Sequence, residues 1–162
     1  MIHSFDFIPI GIIHSTNKEP QGTPIQPSAA NGIEGQVEVY DDFAEGLSDL
    51  EGFSHVILLY HFHRAKAGPL KLKPFMDKEE RGVFATRAPR RPNAIGLSIV
   101  KLLRVEGNVL HIADVDILDG TPLLDIKPYV PEFDHREQIK IGWLEKNVGK
   151  LHHSKDDGRF TD

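Results

Sequence analysis

Apolar positions along this chain alternate with polar ones more often than they recur at helical spacing, so the pattern predicts mostly strands. Phe7 to Ile13 is a short apolar run, read as a first strand, and Ser15 to Asn17 ends it. A Pro- and Gly-rich loop, EPQGTPIQPSAANG, follows; its length without internal pattern marks it as functional or disordered. Ile33 to Tyr40 alternates and predicts a second strand, after which Asp41-Asp42 is placed to cap a helical turn through Leu47. His55 to His63 is the most apolar candidate, and its unbroken Val56 to Tyr60 run predicts burial on both faces. Residues 65–80 read as a surface excursion and Val83 to Thr86 as a short strand.

Leu97 to Val105 alternates again, with Leu97, Ile99, Leu103 and Val105 on one face. Glu106-Gly107-Asn108 turns the chain, and Val109 to Ile117 returns with Val109, His111, Ala113, Val115 and Ile117 aligned, which predicts a hairpin. Leu124 to Tyr129 reads as extended. Only Phe133 to Lys146 carries helical spacing, with Ile139, Ile141, Trp143 and Leu144 near one side. The fold expected is therefore all-β, a small β-barrel or sandwich with a short C-terminal helical appendage. One domain over 1–148 and a polar, frayed tail over 149–162 complete the expectation.

Composition narrows this picture. The 162 residues are enough for one domain with a real core, and the absence of cysteine removes disulfides, thiol nucleophiles and cysteine-held metals. No apolar run approaches a membrane span, and the N-terminus lacks the basic-then-apolar layout of a leader, so a soluble, cytoplasmic protein is expected.

Charge changes the picture more. The chain carries a net charge of -5, yet no acidic residue occurs from Arg81 to Val105, where Arg81, Arg87, Arg90, Arg91, Lys101 and Arg104 concentrate. Pro89 and Pro92 stiffen the centre of that segment and push Ala88 and Arg91 towards extended backbone. A stiff loop bearing arginines suits phosphate or carboxylate, since the guanidinium fork grips oxygens in pairs. Pairing with the chain's own carboxylates is the competing reading.

Nucleotide signatures are missing: there is no GxGxxG opening a helix, no Walker A loop and no HExxH. His61 and His63 share a face if their strand is regular, and with Asp116 or Asp119 they outline a metal-dependent enzyme as a lesser alternative. Asp114, Asp116, Asp119 and Asp125 cluster late in the chain, as turn formers, ribose-hydroxyl acceptors or cation ligands.

Gly82-Val-Phe-Ala-Thr-Arg87, Arg91-Pro-Asn93 and Ile95-Gly96 together resemble the signature of the TsaA-like family, the TrmO tRNA methyltransferases. The likeness extends in order to Pro9–Ser15, Gln26-Pro27, Leu50–His55, Phe62-His63, Asp119–Pro122 and Asp125–Tyr129. It implies a β-barrel homodimer that uses S-adenosylmethionine to methylate the exocyclic nitrogen of threonylcarbamoyl-adenosine beside the tRNA anticodon. By the same implication, Gln26, Pro27, Ser28, Phe62, His63, Arg87, Leu97 and the turn Asp116, Ile117, Leu118, Asp119, Gly120 line the cofactor. Arg90, Arg91, Asn93, Lys127 and Tyr129 face the anticodon loop, and no metal is required. The acceptor nitrogen is a weak, urea-like nucleophile, so its proton must leave as it attacks; His63, Asp116 and Asp119 are the candidate bases. A non-catalytic barrel that binds RNA or another anion through the arginines alone is the reading from a different class.

Overall fold

The computed structural model describes residues 3–161. Six antiparallel strands close into a barrel: β1 (Gly11–Ser15), β2 (Glu34–Val39), β3 (His55–His61), β6 (Ile95–Glu106), β7 (Val109–Ala113) and β8 (Thr121–Pro128). Their order around the barrel is β1-β2-β7-β6-β3-β8, with β8 returning to β1. A small two-stranded sheet of β4 (Lys71–Leu72) and β5 (Arg81–Gly82) lies outside it. The all-β expectation holds, and closure removes the free edges that an open sheet would leave unpaired. Ile13, Val37, Val56, Leu58, Val100, Leu110, Ile112 and Leu123, all without accessible surface, fill the interior.

β1 starts later than the sequence pattern suggests. Pro9 has no N–H to give a ladder, and Phe7 and Ile8 ahead of it are 71% and 65% exposed. β3 is not buried on both faces, because its residues alternate between buried and half-buried. The 6–7 hairpin forms as expected, with Gly107 at φ 61 in its turn. On β6, however, the inward face is the opposite of the predicted one. Gly96, Ser98, Val100 and Leu102 point in, while Leu97, Ile99 and Leu103 keep 46%, 36% and 40% of their surface. The reason is volume: Gly96 stands opposite Tyr60 in the β3–β6 register, and a Cβ there would come within 2.2 Å of the ring. No leucine fits on that face beside Tyr60.

β7 ends at Ala113, where Asp114 takes φ 66 and shifts the alternation by one residue. Leu110 and Ile112 face in before that point, and Val115 and Ile117 after it. Val83 to Thr86 is a 3-10 turn over Val83–Ala85 rather than a strand.

The predicted helix at 133–146 is absent. A single turn, α1 (Pro131–Asp134), gives way to extended backbone at His135. Two 3-10 turns follow over Gly142–Lys146 and Val148–His153. The apolar positions there (Phe133 and Ile139 stay 70% and 65% exposed) find no common surface to bury against. Nor is the tail frayed. Phe160 is 4% exposed and packs with Leu72, Val83 and Ala88 in a second small core. Its ring stands edge-on to Phe75 at 4.8 Å. Main-chain bonds between Asp156 and both Gly22 and Thr23 tie the tail to the early loop.

Candidate active site

A cavity of about 890 Å³ opens at the His61 end of β3. The early loop supplies one wall through Pro20, Pro24, Ile25, Gln26 and Ser28. The arginine segment supplies a second, the C-terminal tail through Trp143, Leu151 and Phe160 a third, and the barrel end the floor. Three stretches far apart in sequence thus meet on one opening, and the long early loop earns its length as a wall rather than a linker.

Arg87 crosses that space to donate from Nη1 to Gln26 Oε1 at 2.8 Å, joining two of the residues singled out in the sequence. Phe62 stands edge-on to Tyr60 with centroids 5.4 Å apart and faces the cavity with His63. Leu97, Asp116, Ile117, Leu118, Arg91 and Asn93 also line it.

The floor carries a chain of hydroxyls. The Tyr60 hydroxyl lies 2.9 Å from Ser98 Oγ, and Ser98 Oγ donates to Asp116 Oδ1 at 2.6 Å. The serine has only one hydrogen and gives it to the carboxylate, so Tyr60 donates to Ser98. Tyr60 and Ser98 are 4% and 1% exposed. Burial drives the Asp116 carboxyl up to about 7, against the pull of the Ser98 hydrogen bond and the Arg87 charge. Burial likewise pushes the Tyr60 phenol far up, and the Asp116 charge adds to it. Asp116 keeps some accessible surface, and the cavity it lines accounts for it.

Several sequence-assigned residues lie elsewhere. Asp119 does not reach the cavity: its carboxylate is held by Lys18 Nζ at 2.7 Å and by the Ser15 N–H at 3.0 Å. The Lys18 hydrogen bond, with the Ser15 N–H, holds its carboxyl below the usual range. Gly120 makes the following turn at φ 78, and Pro27 opens a 3-10 turn behind the wall. Neither lines the cavity. Lys127 and Tyr129 sit at the opposite end of β3, where Lys127 pairs with Ile57 and Tyr129 edges onto His55. At about 3.3 Å per residue, His55 at that end is roughly 20 Å from His61 at the cavity end.

Arg91 spends Nη1 on the carbonyls of Thr86 and Ala88 at 3.0 and 3.3 Å, so it braces its own loop. Arg90 turns away to a second hollow and donates to the Ala67 carbonyl, its Nε buried without a partner.

His61 and His63 part company, because β3 ends at His61 and a tight turn from the His63 N–H to the His61 carbonyl (2.8 Å) redirects the chain. Among the described residues no group of three His, Cys, Asp or Glu is arranged to hold a metal. Burial lowers the His63 imidazole below its ordinary value, helped by His61 and Arg64.

Sequence reasoning missed Tyr60, Ser98, Trp143 and Phe160 as site residues. A hydroxyl at the end of an apolar strand (Tyr60) and one polar position on the buried face of β6 (Ser98) were the available signals.

The chain is similar in sequence and fold to known proteins. The tRNA-methyltransferase O N-terminal domain matches residues 12–135 of this chain. The chain belongs to the TrmO family. A probable S-adenosyl-L-methionine-binding protein of Pyrococcus abyssi is 67% identical over 152 residues, covering 94% of this chain and 83% of that protein. The human tRNA (adenine(37)-N6)-methyltransferase is 36% identical over 155 residues, covering 90% of this chain but 35% of the human protein. A crystal structure of TrmO superposes with a TM-score of 0.75 at 41% identity, covering 88% of this chain and 63% of that one. TrmO from Pseudomonas aeruginosa gives 0.71 at 42% identity, covering 88% and 63%. This TrmO-family chain thus spans most of its archaeal relative and about a third of the human one.

Proposed function

We propose that this protein transfers a methyl group from S-adenosylmethionine to the exocyclic nitrogen of adenosine 37 in tRNA, with the threonylcarbamoyl form as its acceptor. The observation that carries the reading is a single cavity in which a buried carboxylate, an aromatic pair and a bridged Arg87–Gln26 rim converge. Its volume, about 890 Å³, lies near the top of the 300–1,000 Å³ typical of small-molecule sites, so cofactor and a splayed base share it.

The donor set suits this cofactor. Gln26, Arg87 and the Ile117–Leu118 stretch offer polar and main-chain groups for the carboxylate, amine and ribose, and Phe62 offers a ring face for adenine. The bound cofactor supplies an activated methyl on a positively charged sulfur. The protein's own tasks are to hold the acceptor in line, exclude water and take a proton. Arg87 on the cavity wall, whose bonded partner is the neutral Gln26, supplies positive charge suited to the anticodon-loop backbone, whereas Arg64 beside it is paired with Glu19 at 3.1 Å. The exposed Ile99 and Leu103 on the outer face of β6, which do not line the cavity, support the homodimer reading, since a monomer would leave them wet. The barrel domain over 1–148 carries the activity, acting in the cytoplasm, with the 149–162 tail closing one wall.

Incubation with methyl-labelled cofactor and total tRNA, followed by nucleoside mass analysis, tests this directly. A methyl gain on threonylcarbamoyl-adenosine is expected. Gain on unmodified adenosine alone would overturn the acceptor assignment, and no gain on any nucleoside would overturn the activity. An Ile99→Lys, Leu103→Lys variant measured by light scattering tests the dimer; a monomeric parent would refute it.

A further inference from the structure

Three side chains on the cavity wall are candidate proton acceptors: His63, Asp116 and Asp156. Asp119, the remaining candidate from the sequence, is outside the cavity and locked in its ion pair with Lys18. Asp156 accepts the Gly158 N–H at 2.7 Å at the base of the tail, and its main chain is bonded to the early loop. It is a structural corner. His63 sits at the exposed rim, and among the described residues no side chain hydrogen-bonds its ring to fix a tautomer or an orientation. A base needs a partner that aims it.

Asp116 has one. Its Oδ1 accepts from Ser98, whose oxygen accepts from Tyr60, and both partners are buried in the barrel wall. The Tyr60 ring is itself clamped, with Gly96 flush beneath it and Phe62 edge-on beside it. Oδ2 has no side-chain partner and is the oxygen left for the cavity. Every donor in the chain points towards the carboxylate. Protonation at Oδ2 therefore breaks none of these bonds and asks no reorganisation of the floor.

We propose that Asp116 is the proton acceptor of this site, and that Ser98 and Tyr60 are positioning residues that present its Oδ2 to the acceptor nitrogen. The assignment rests on the methyltransferase reading above. As the new nitrogen–carbon bond forms and the sulfur–carbon bond breaks, the electron pair of the latter stays on sulfur, which becomes a neutral thioether. The nitrogen's proton passes to Asp116, and the positive sulfur and negative carboxylate are both neutralised.

The other groups that face Asp116 agree with this role. Tyr60 comes from β3 and Ser98 from β6, and the Arg87 charge lies across the cavity from the segment after β5. Buried as it is, the carboxyl titrates at about 7, where a general base works best at neutral pH. A second positive charge beside it, on the cofactor sulfur, must then displace part of its proton.

The first test needs no turnover. Calorimetry of S-adenosylmethionine binding at pH 6.5, in two buffers of different ionisation heat, counts protons released. The parent is expected to release a substantial fraction of one proton, and less with the uncharged demethylated product. Asp116→Asn is expected to bind the cofactor and release none. The second test is the pH profile of kcat. Asp116→Asn should lose about a hundredfold to ten-thousandfold in kcat, the range for a general base, and with it the acidic limb. Ser98→Ala removes a bond that favours the charged carboxylate, so its acidic limb should move to higher pH with KM for tRNA little changed. Tyr60→Phe should do the same to a smaller extent.

Saturable cofactor binding with no proton release, or an acidic limb that disappears in His63→Ala and persists in Asp116→Asn, would overturn the assignment. Failure of the parent to bind the cofactor at all would instead remove the methyltransferase reading. If Asp116→Asn does not fold, the Ser98→Ala limb decides: an unmoved limb sinks the proposal.

Discussion

Gly96→Ala perturbs the hinge between fold and site, and its cost can be worked from the structure. A Cβ at Gly96 would lie 2.2 Å from Tyr60 Cε2, 2.5 Å from Cζ and 2.8 Å from Cδ2. Real Cβ atoms essentially never come within 3.0 Å of a neighbour, so the ring must move by most of an ångström. Phe62 blocks one direction edge-on at 5.4 Å, and the barrel core blocks the other. Overpacking of this kind costs about 1–3 kcal/mol. Movement at Cζ also carries the hydroxyl away from Ser98, and a buried hydroxyl without its partner costs about 1–3 kcal/mol more. The sum is about 2–6 kcal/mol, or about 6–18 °C in Tm for a chain of this size.

Urea unfolding with an unchanged slope, beside a thermal melt, measures it. Gly82→Ala is the control, since nothing lies within 4 Å of its would-be Cβ and its φ is -59. That variant should stay within about 0.5 kcal/mol of the parent. Adding Tyr60→Leu to Gly96→Ala should recover part of the loss. A Gly96→Ala protein as stable as the control would refute the claim that ring packing selects the inward face of β6.

Asp116 predicts a pH dependence of stability. Its folded value, about 7, lies above the ordinary 3.8, so its contribution is intact below about 4 and is lost as pH rises through 7. At about 1.4 kcal/mol per pH unit the loss approaches 4 kcal/mol, and Asp116→Asn should flatten it; a parent whose urea midpoint does not fall between pH 4 and 8 would contradict the burial argument. Phe160→Ala should cost about 3 kcal/mol in unfolding and also weaken cofactor binding severalfold in calorimetry, because the ring anchors the tail that forms a cavity wall. An unchanged binding constant would show the wall to be dispensable. Asp119→Asn loses a half-exposed ion pair and should cost about 1 kcal/mol or less, while leaving cofactor affinity within twofold. A tenfold loss would return Asp119 to the site.

Local periodicity sufficed for the strands. Alternation at 33–40, the apolar run at 55–61 and the 6–7 hairpin with its Gly107 turn were all legible, because strand formation and turn chemistry depend on neighbours in sequence. The motifs around Phe62, Arg87 and Asp116 converge on one cavity, since side chains at strand ends and in stiff loops are delivered by short stretches of backbone.

What needed the tertiary structure was every choice between equally apolar alternatives and every long-range pairing. On β6 the alternation singled out Leu97, Ile99, Leu103 and Val105 as one face, and only the volume beside Tyr60 decides that Gly96 and Ser98 go inside while Leu97 and Ile99 stay out. One left-handed residue, Asp114, moved the alternation after β7 and so set Asp116 at the cavity floor. Asp116 and Asp119 are near neighbours in sequence, and only the strands packed around them make one a buried acid and the other a surface partner of Lys18. The helical spacing at 133–146 had no common surface to bury against, so the backbone went instead to short turns, one of them tied down by Trp143 Nε1 donating to the Ala85 carbonyl. Amphipathic pattern stabilises a helix only where a complementary face exists, and that face is a property of the folded barrel rather than of the segment.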